Sequence, residues 1–361
     1  MKAAVRAWAE LLRVSALFTV PGDALAGAAA LGRRPDRGTA LAVGASLCLY
    51  EAGMALNDWA DRDEDAIDRP HRPIPSGRIT PGAALAAAGA LTAAGLTLAA
   101  RAGRPALTVA TGLAATVWAY DLHLKHTQAG PAAMAGARAL DLLLGATATA
   151  GTGAGYVGVK RAVSATGASH AARSAGTVLP TRTARILRGA RALGPARTTH
   201  PDVRAAVPAA ALLGAHTYAV TAVSRHEAQG GSTVAPLGAL AAIVALGAAA
   251  VREQRGSRGL PPVSAEGGPG DHHRPRSGAP APRLLLTALT AAYLRTAAKP
   301  LLHATLNPSP PLTQRAVGGG IRAMIPLQAV LAARAGASGT GLAVMGLVPL
   351  ARTLARKVSL T

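Results

Sequence analysis

The sequence has little cysteine, little aromatic character and few acidic residues among its 361 positions. Its only cysteine, Cys48, excludes an intrachain disulfide and a thiolate metal cluster. Aromatic residues make up 2% of the chain, so the base-stacking platforms of single-strand nucleic-acid binders are missing. The formal net charge is +21. We therefore predict no nucleic-acid partner and expect the basic residues to face anionic lipid headgroups.

Long apolar segments account for most of the chain. Half of the residues are hydrophobic, 15% are charged, and the mean hydropathy is +0.27. About nine segments approach the roughly 20 residues that a helix needs to cross the hydrocarbon core of a bilayer. Many are rich in alanine and glycine, which lets helix backbones approach closely in lipid. This pattern predicts an all-α, multi-pass integral protein of the cell membrane with about nine transmembrane helices. A large soluble helical bundle is the alternative.

Two basic stretches interrupt the apolar pattern, at residues 156–204 and 252–283. The first holds nine Lys or Arg residues and a single acid, Asp202. We interpret both stretches as flexible loop insertions in one domain that spans residues 1–361. The positive-inside rule would place both in the cytoplasm and the acidic loop on the other side. The basic residues at the two termini do not agree with that arrangement for nine helices, so charge alone leaves the orientation open.

The segment 57–78 holds six of the 17 acidic residues and lies between two apolar runs. On an α-helix Asp58, Asp61 and Asp65 would fall at i, i+3 and i+7, on one face and over about 10 Å. Carboxylates at that spacing repel each other, and a bound cation relieves the repulsion. Hard oxygen ligands of this kind suit Mg²⁺, which often binds through one or two carboxylates and a substrate phosphate. A solvated acidic loop without a ligand is the alternative.

The same segment carries a resemblance to a known family. Its string Asn57-Asp58-x-x-Asp61-x-x-x-Asp65, followed by Arg-Pro-Ile-Pro-Ser-Gly-Arg-Ile at 72–79, resembles the first aspartate-rich motif of the UbiA superfamily of intramembrane prenyltransferases. Further segments match in the expected order and cover nearly the whole chain apart from the basic stretches: Tyr120 to Lys125, Gly130-Pro131, and Arg138-x-x-Asp141-x-x-x-Gly145.

The resemblance implies a helical bundle around a central cavity and a transferase that uses Mg²⁺. Such an enzyme moves a prenyl group from an isoprenoid diphosphate to an aromatic or other lipophilic acceptor. By this resemblance Asp58, Asp61 and Asp65 are catalytic and hold Mg²⁺ together with Asn57. The residues expected to contact substrate are Arg72, Arg78, Tyr120, Lys125 and Asp141. The alternatives are lipid-headgroup contacts for the basic residues and an interfacial anchor for Tyr120.

The second acidic motif of the superfamily, Asp-x-x-x-Asp, is reduced in this chain. The corresponding place reads Ser-Arg-His-Glu-Ala-Gln-Gly-Gly at 224–231, where Glu227 is the single candidate metal ligand and Arg225 a candidate diphosphate contact. This reduced motif is similar to the EboC branch of UbiA-like proteins. It keeps open a second function, a non-catalytic membrane protein that binds or transports a lipophilic metabolite or its precursor.

Two further acids, Asp23 and Asp141, lie inside apolar helices. Acids within a membrane usually face the interior of a bundle and line a functional path. We expect Asp141 in particular to line the cavity. The alternative for both is a buried polar group that a neighbouring helix satisfies.

Overall fold

The computed structural model describes residues 2–151, 202–227, 230–256 and 280–350, and these residues form helices joined by short loops. The described residues contain no strand, which confirms the all-α prediction. In chain order the helices are α1 (Lys2–Leu11), α2 (Pro21–Ala30), α3 (Arg37–Ala60), α4 (Arg62–Asp68), α5 (Pro81–Ala102), α6 (Arg104–Ala119), α7 (130–151), α8 (Val207–Ser224), α9 (Val234–Gly256), α10 (Pro280–Leu306), α11 (Pro310–Arg334) and α12 (Ser338–Met345).

Five helices of the described residues are long and apolar enough to cross a membrane: α3, α5, α8 with the short turn before it, α9 and α11. Helices of this length reach across the hydrocarbon core. They are stable there because nearly every backbone N–H and C=O is bonded within the helix. The protein is therefore an integral membrane protein. The number of nine transmembrane helices and the assignment to the cell membrane stay predictions.

Local sequence signals place the helix ends. Asp36 and Thr39 form a reciprocal capping box at the start of α3, with both backbone-to-side-chain bonds at 3.0 Å. Thr80 caps α5, and Pro81 follows at its first position. Gly103, with a φ of 134°, ends α5 and lets α6 begin one residue later. The chain turns sharply at Gly103 between α5 and α6, and α3, α5 and α6 pack side by side.

Small residues bring α2 and α7 into close contact. A Cβ atom on Gly145 would lie 2.6 Å from the carbonyl oxygen of Ala24, and one on Gly27 would lie 2.7 Å from the backbone nitrogen of Ala146. Real Cβ atoms do not tolerate such distances. The two glycines therefore permit the backbone approach that helix pairs in lipid use in place of a hydrophobic driving force.

The acidic segment and the first basic stretch are attached to opposite ends of the bundle. A 2.8 Å hydroxyl–hydroxyl hydrogen bond joins Thr39 at the start of α3 to Thr149 at the end of α7. Helix α3 then runs for 24 residues, about 36 Å, before it reaches Asp61. The chain therefore leaves α7 toward residues 152–201 at the end of the bundle farthest from the acids. Which end faces the cytoplasm stays a prediction.

The two predicted loop insertions lie mostly outside the described residues. At their edges the structure is helical: Val203–Ala206 is a 3₁₀ turn, residues 252–256 complete α9, and residues 280–283 begin α10. Helices α9 and α10 thus reach into the predicted bounds of 252–283. The rest of that prediction, and the interpretation as flexible loops, stays a prediction.

The close approach of α2 and α7 generates a test of packing. We expect Gly145→Ala to lower the free energy of unfolding by about 1–3 kcal/mol, because the added methyl group forces the helices apart. Gly136→Ala on the same helix is the matched control, since a Cβ there would meet nothing within 4 Å. The control should be neutral or slightly stabilising through helix propensity. Thermal denaturation in detergent measures both, and equal melting temperatures would contradict the inferred crossing.

Candidate functional site

The carboxylates of the acidic segment lie where α3 ends and α4 begins. The single helix that their spacing predicts is interrupted at Asp61, whose ψ is 5°. The side chains of Asp58 and Asp65 still lie together, whereas Asp61 turns to a different cation, Lys125. The prediction of one shared face therefore holds for two of the three carboxylates. The third pairs with a lysine from another element.

Arg72 bridges the two buried carboxylates. Its Nη1 atom lies 3.3 Å from Oδ1 of Asp58 and 2.6 Å from Oδ2 of Asp65. Arg69 adds a second guanidinium at 3.3 Å from Asp65, one helical turn away. The Asp58 and Asp65 side chains are 6% and 3% exposed, and a buried carboxylate is costly without a paired cation. The arginines of the segment are thus part of the site that the aspartates define.

Arg13 approaches the same carboxylate from the N-terminal part of the chain. Its Nη2 atom lies 3.1 Å from Oδ1 of Asp58 and 3.4 Å from Oδ1 of Asn57. Arg13 has a φ of 48° and a ψ of 47°, a left-handed conformation that is costly for a residue with a side chain. Sequence reasoning missed this residue as part of the site. Its partners lie more than forty positions further along the chain, so no local sequence pattern predicts the contact.

A π-helical turn, Tyr120–Leu124, follows α6 and directs three side chains toward the acids. The Lys125 N–H bonds the Tyr120 carbonyl at 3.0 Å, and the Lys125 amine pairs with Asp61. Asp121 accepts a 3.4 Å hydrogen bond from the Asn57 amide. Single π turns inside helices frequently occur at functional sites. Tyr120 and Lys125 therefore lie at the site as predicted, and Asp121 joins them.

Arg78 does not join the other predicted residues. Its guanidinium pairs with Glu10 at 2.7 and 3.1 Å, and it donates to the His71 carbonyl at 2.6 Å. The Arg78 and Glu10 side chains are both 38% exposed. Through these bonds Arg78 holds the loop after α4 against α1. A direct contact between Arg78 and a diphosphate is therefore not supported by its position.

The remnant of the second acidic motif lies beside the first. Arg225 donates a hydrogen bond to the carbonyl oxygen of Thr127, two residues after Lys125. Burial raises the pKa of the Glu227 carboxyl, and the nearby positive charge of Arg69 opposes that rise. Both residues therefore contact or approach elements that hold the first motif. The two halves of the expected site share one end of the bundle.

One group of potential metal ligands stands out among the described residues. Single ligand atoms of Asp61, Glu64 and His126 all lie within 4.8 Å of one another. Glu64 and His126 are exposed, and sequence reasoning assigned neither to the site. The carboxylate oxygens suit Mg²⁺. By contrast, the Arg72 guanidinium already fills the place between Asp58 and Asp65. The arrangement of these side chains therefore fits one bound cation near Asp61 better than it fits two bound cations.

A cavity of about 280 Å³ extends from this cluster into the bundle. Arg13, Asn57, Tyr120 and Asp121 line its outer end. The middle of its wall is mainly apolar and comprises Leu49, Gly53, Met54, Leu113, Val117, Met134 and Ala137, together with Tyr50. The inner end is polar again, with Ser46, Arg138 and Asp141. Asp141 thus lines the cavity, as the sequence predicted.

The polar inner end is held together by its own hydrogen bonds. Arg138 pairs with the fully buried Asp23 at 2.6 Å, and the Gln328 amide donates to Asp23 at the same distance. The Ser46 hydroxyl donates to Asp141. Asp23 and Asp141 are therefore both satisfied by neighbouring helices, and Asp141 additionally faces the cavity.

The helical bundle, the mainly apolar cavity and the charged cluster at its mouth define an α-helical membrane protein with a candidate ligand site in this cavity. The UbiA prenyltransferase family profile matches residues 15–258. That match covers more than half of the chain, and the chain belongs to the UbiA prenyltransferase family. The superfamily expectation is thereby confirmed, whereas the placement near the EboC branch stays a prediction.

Curated relatives and solved structures agree with the family. The chain is 36% identical over 128 residues to a digeranylgeranylglyceryl phosphate synthase of Methanopyrus kandleri, a match of 34% of this chain and 45% of that protein. It is 35% identical over 147 residues to the synthase of Ignicoccus hospitalis, or 40% of this chain and 48% of that protein. The chain thus spans less than half the length of these curated relatives.

The solved structures extend the comparison to the fold. A UbiA homolog from Archaeoglobus fulgidus bound to DMAPP and Mg²⁺ aligns with a TM-score of 0.51 at 18% identity, over 94% of this chain and 99% of that one. A structure of digeranylgeranylglyceryl phosphate synthase in membranes aligns at 0.55 and 15% identity, over 94% and 100%. At these identities the likeness concerns the fold.

The bridging role of Arg72 generates a stability test. We expect Arg72→Gln to lower the free energy of unfolding by about 3 kcal/mol, because two buried carboxylates lose a shared cation. The matched control is Arg78→Gln, which breaks a half-exposed pair and should cost about 1 kcal/mol or less. Denaturation of both variants in detergent, in the absence of divalent cations, measures the difference. A control that is as damaging as Arg72→Gln would contradict the bridge.

Proposed function

We propose that this protein is an Mg²⁺-dependent prenyltransferase of the cell membrane. It would transfer a prenyl group from an isoprenoid diphosphate to an aromatic or other lipophilic acceptor. The observation that carries the proposal is the joint placement of buried carboxylates and basic side chains at the mouth of a mainly apolar cavity. A diphosphate bonded to a prenyl chain has the same division into a charged head and an apolar tail.

The residues at the cavity mouth have separate tasks in this proposal. Arg13, Arg72 and Lys125 provide positive charge for the diphosphate, on which negative charge builds as the allylic C–O bond breaks. Asn57 and Tyr120 orient the reacting end of the substrate from the cavity wall. The apolar middle of the cavity holds the prenyl chain away from water, and this protects an allylic cation from premature capture. The acceptor then attacks the same carbon.

Asp61, whose carboxylate lies within 4.8 Å of ligand atoms of Glu64 and His126, would be the central ligand of the cation. Asp58, Asp65, Asn57 and Glu227 are the further ligands that the sequence predicts. Their hard oxygen atoms are the ligand type that Mg²⁺ prefers. Bound there, Mg²⁺ supplies Lewis-acid stabilisation of the leaving diphosphate. The arginines that pair with Asp58 and Asp65 would place positive charge beside the leaving diphosphate.

Substitution in the acidic segment tests this assignment. We expect Asp61→Asn and Asp58→Asn each to lower diphosphate release from geranyl diphosphate at least about 100-fold, because cation and leaving-group stabilisation are lost together. Asp63→Asn is the matched control in the same segment, since the Asp63 side chain is 87% exposed and pairs with the neighbouring Arg62. Purified protein in lipid vesicles, with and without Mg²⁺, provides the measurement.

Full activity of both Asp58→Asn and Asp61→Asn would sink the proposal. An equal loss in Asp63→Asn would show that the segment matters for folding rather than for chemistry. A melting temperature for each variant separates these outcomes. Glu227→Gln extends the series to the reduced second motif, and we expect a smaller loss than for Asp61→Asn because Glu227 is a single remaining carboxylate there.

A specific observation also favours a second function. Asp58, Asp61 and Asp65 already pair with four basic residues (Arg13, Arg69, Arg72 and Lys125), and the second motif supplies one carboxylate. A protein of this design could bind or transport a lipophilic metabolite without chemistry. Movement of such a metabolite across vesicles that contain the protein, with no diphosphate released from any prenyl diphosphate, would favour this function over the transferase.

A further inference from the structure

Helix α10 runs antiparallel to α11 and crosses the membrane beside it. The turn between them begins after Leu306, and midway along the pair a Cβ atom on Gly319 would lie 3.1 Å from the Thr296 carbonyl oxygen. Helix α11 is long and apolar enough to span the bilayer. The Gly231 N–H bonds the Pro308 carbonyl in the turn at 2.7 Å. Because Gly231 ends the reduced second motif, this turn lies at the end of the bundle that holds the acids.

Three basic side chains of this helix pair are exposed: Arg295 and Lys299 on α10, and Arg322 on α11. We call these three residues the basic face. Lys299 and Arg295 precede Leu306, the last residue of α10, by seven and eleven residues, and Arg322 follows Pro310 by twelve. These spacings correspond to depths of about 10, 16 and 18 Å along the helices. The hydrocarbon core is about 30 Å thick, so the three residues lie within it.

The basic face is turned away from the rest of the bundle. A Cβ atom on Gly320 would lie 2.4 Å from Cγ2 of Val220, so Gly320 faces α8. Arg322 is two residues further along, about 200° around α11. On α10 the fully buried Tyr293 has its hydroxyl 3.0 Å from a histidine nitrogen of α8. Arg295 lies two residues beyond Tyr293, again on the opposite side, and the lysine follows one turn later. All three side chains therefore face the lipid.

No acidic side chain of the described residues pairs with the basic face. Neither a hydrogen bond nor an ion pair joins any of its three side chains to another residue in that part of the chain. By contrast, Arg138 within the bundle pairs with the buried Asp23 at 2.6 Å. Arginine and lysine inside a membrane are costly, and they usually pair with an opposite charge or face water. The basic face therefore fits an acidic partner from another molecule.

A carboxyl group lies at the matching depth on a different side of the bundle. Glu51 of α3 is partly exposed, does not line the cavity, and bonds no other side chain among the described residues. It precedes Asp61 by ten residues, which is about 15 Å of helix from the end that holds the acids. Copies of one chain insert into a membrane in the same direction. Glu51 of one copy therefore lies at the depth of Arg295 and Arg322 in a neighbouring copy.

We propose that the basic face of one copy binds Glu51 of a second copy, so that the protein assembles in the membrane into a head-to-tail oligomer. Helix α3 packs against α5 and α6, whereas α10 and α11 pack against each other and against α9 and α8, so the two surfaces lie on different sides of each copy. A contact between unlike surfaces leaves one of each unoccupied and repeats until a ring closes. Guanidinium groups bind a carboxylate through charge-assisted hydrogen bonds, which are strong where water is excluded. This assembly goes beyond prenyl transfer and does not require it.

Two variants and their mixture test the contact. Glu51→Gln removes the carboxylate, and the double variant Arg295→Gln/Arg322→Gln removes both guanidinium groups. Single-molecule photobleaching counts labelled subunits in vesicles of zwitterionic lipid. We expect the wild-type protein to be oligomeric, and the dissociation constant of each variant to be at least about tenfold higher. An equal mixture of the two variants should form pairs and nothing larger, because Glu51 of the arginine variant meets the intact basic face of the other.

The matched control is Arg101→Gln/Arg104→Gln, which also removes two exposed arginines, at the junction of α5 and α6. It should keep the wild-type assembly. A monomeric wild-type protein would overturn the inference, and so would variants that assemble as the wild type does. A mixture that stays monomeric would also count against it, since misfolding and not a lost contact would then explain the variants. Anionic lipid that native mass spectrometry finds on wild-type monomers, and not on the arginine variant, would assign the basic face to lipid instead.

Discussion

The bridge from Arg72 to Asp58 and Asp65 is the interaction on which the site depends. Two carboxylates at the end of an apolar bundle repel each other and resist burial, so they need a cation between them. In this chain a guanidinium from the adjoining loop takes that position. The bridge links the residues after α4 to the end of α3, and the positive charge of Arg69 lies near the Glu227 carboxyl. It also leaves Asp61 to pair with Lys125 from the π turn. The carboxylates of one segment thus bind basic side chains from three parts of the chain.

Close packing of small residues complements this electrostatic constraint. Alanine and glycine dominate the helix contacts, and the crossing at Gly27 and Gly145 brings the backbones of α2 and α7 together. That crossing places Asp23 on α2 beside Arg138 on α7. The absence of side-chain volume at these two positions thus positions the buried Asp23–Arg138 pair, and Arg138 also lines the cavity.

The sequence predicted the helical class and most of the site, because the relevant signals are local. Apolar run length predicts membrane helices, and the Asn57-to-Asp65 spacing identifies the acidic segment without any tertiary information. Arg13 was missed as a site residue because its contact with Asp58 joins positions 45 apart through a left-handed backbone. The Arg78 pair has the same character. Glu10 lies 68 positions away, so no local signal predicts the contact.

The opposite attachment of the acidic segment and the first basic stretch has a consequence for supply. Charged head groups and divalent cations do not cross a bilayer unaided, so both must arrive from the water phase that the Asp61 end faces. Membrane insertion therefore decides which water phase reaches the acidic segment. The stretch at 156–204 holds nine Lys or Arg residues, so the two ends of the bundle present opposite charge to the two water phases. The compartment that the Asp61 end meets is the one from which ions reach the carboxylates.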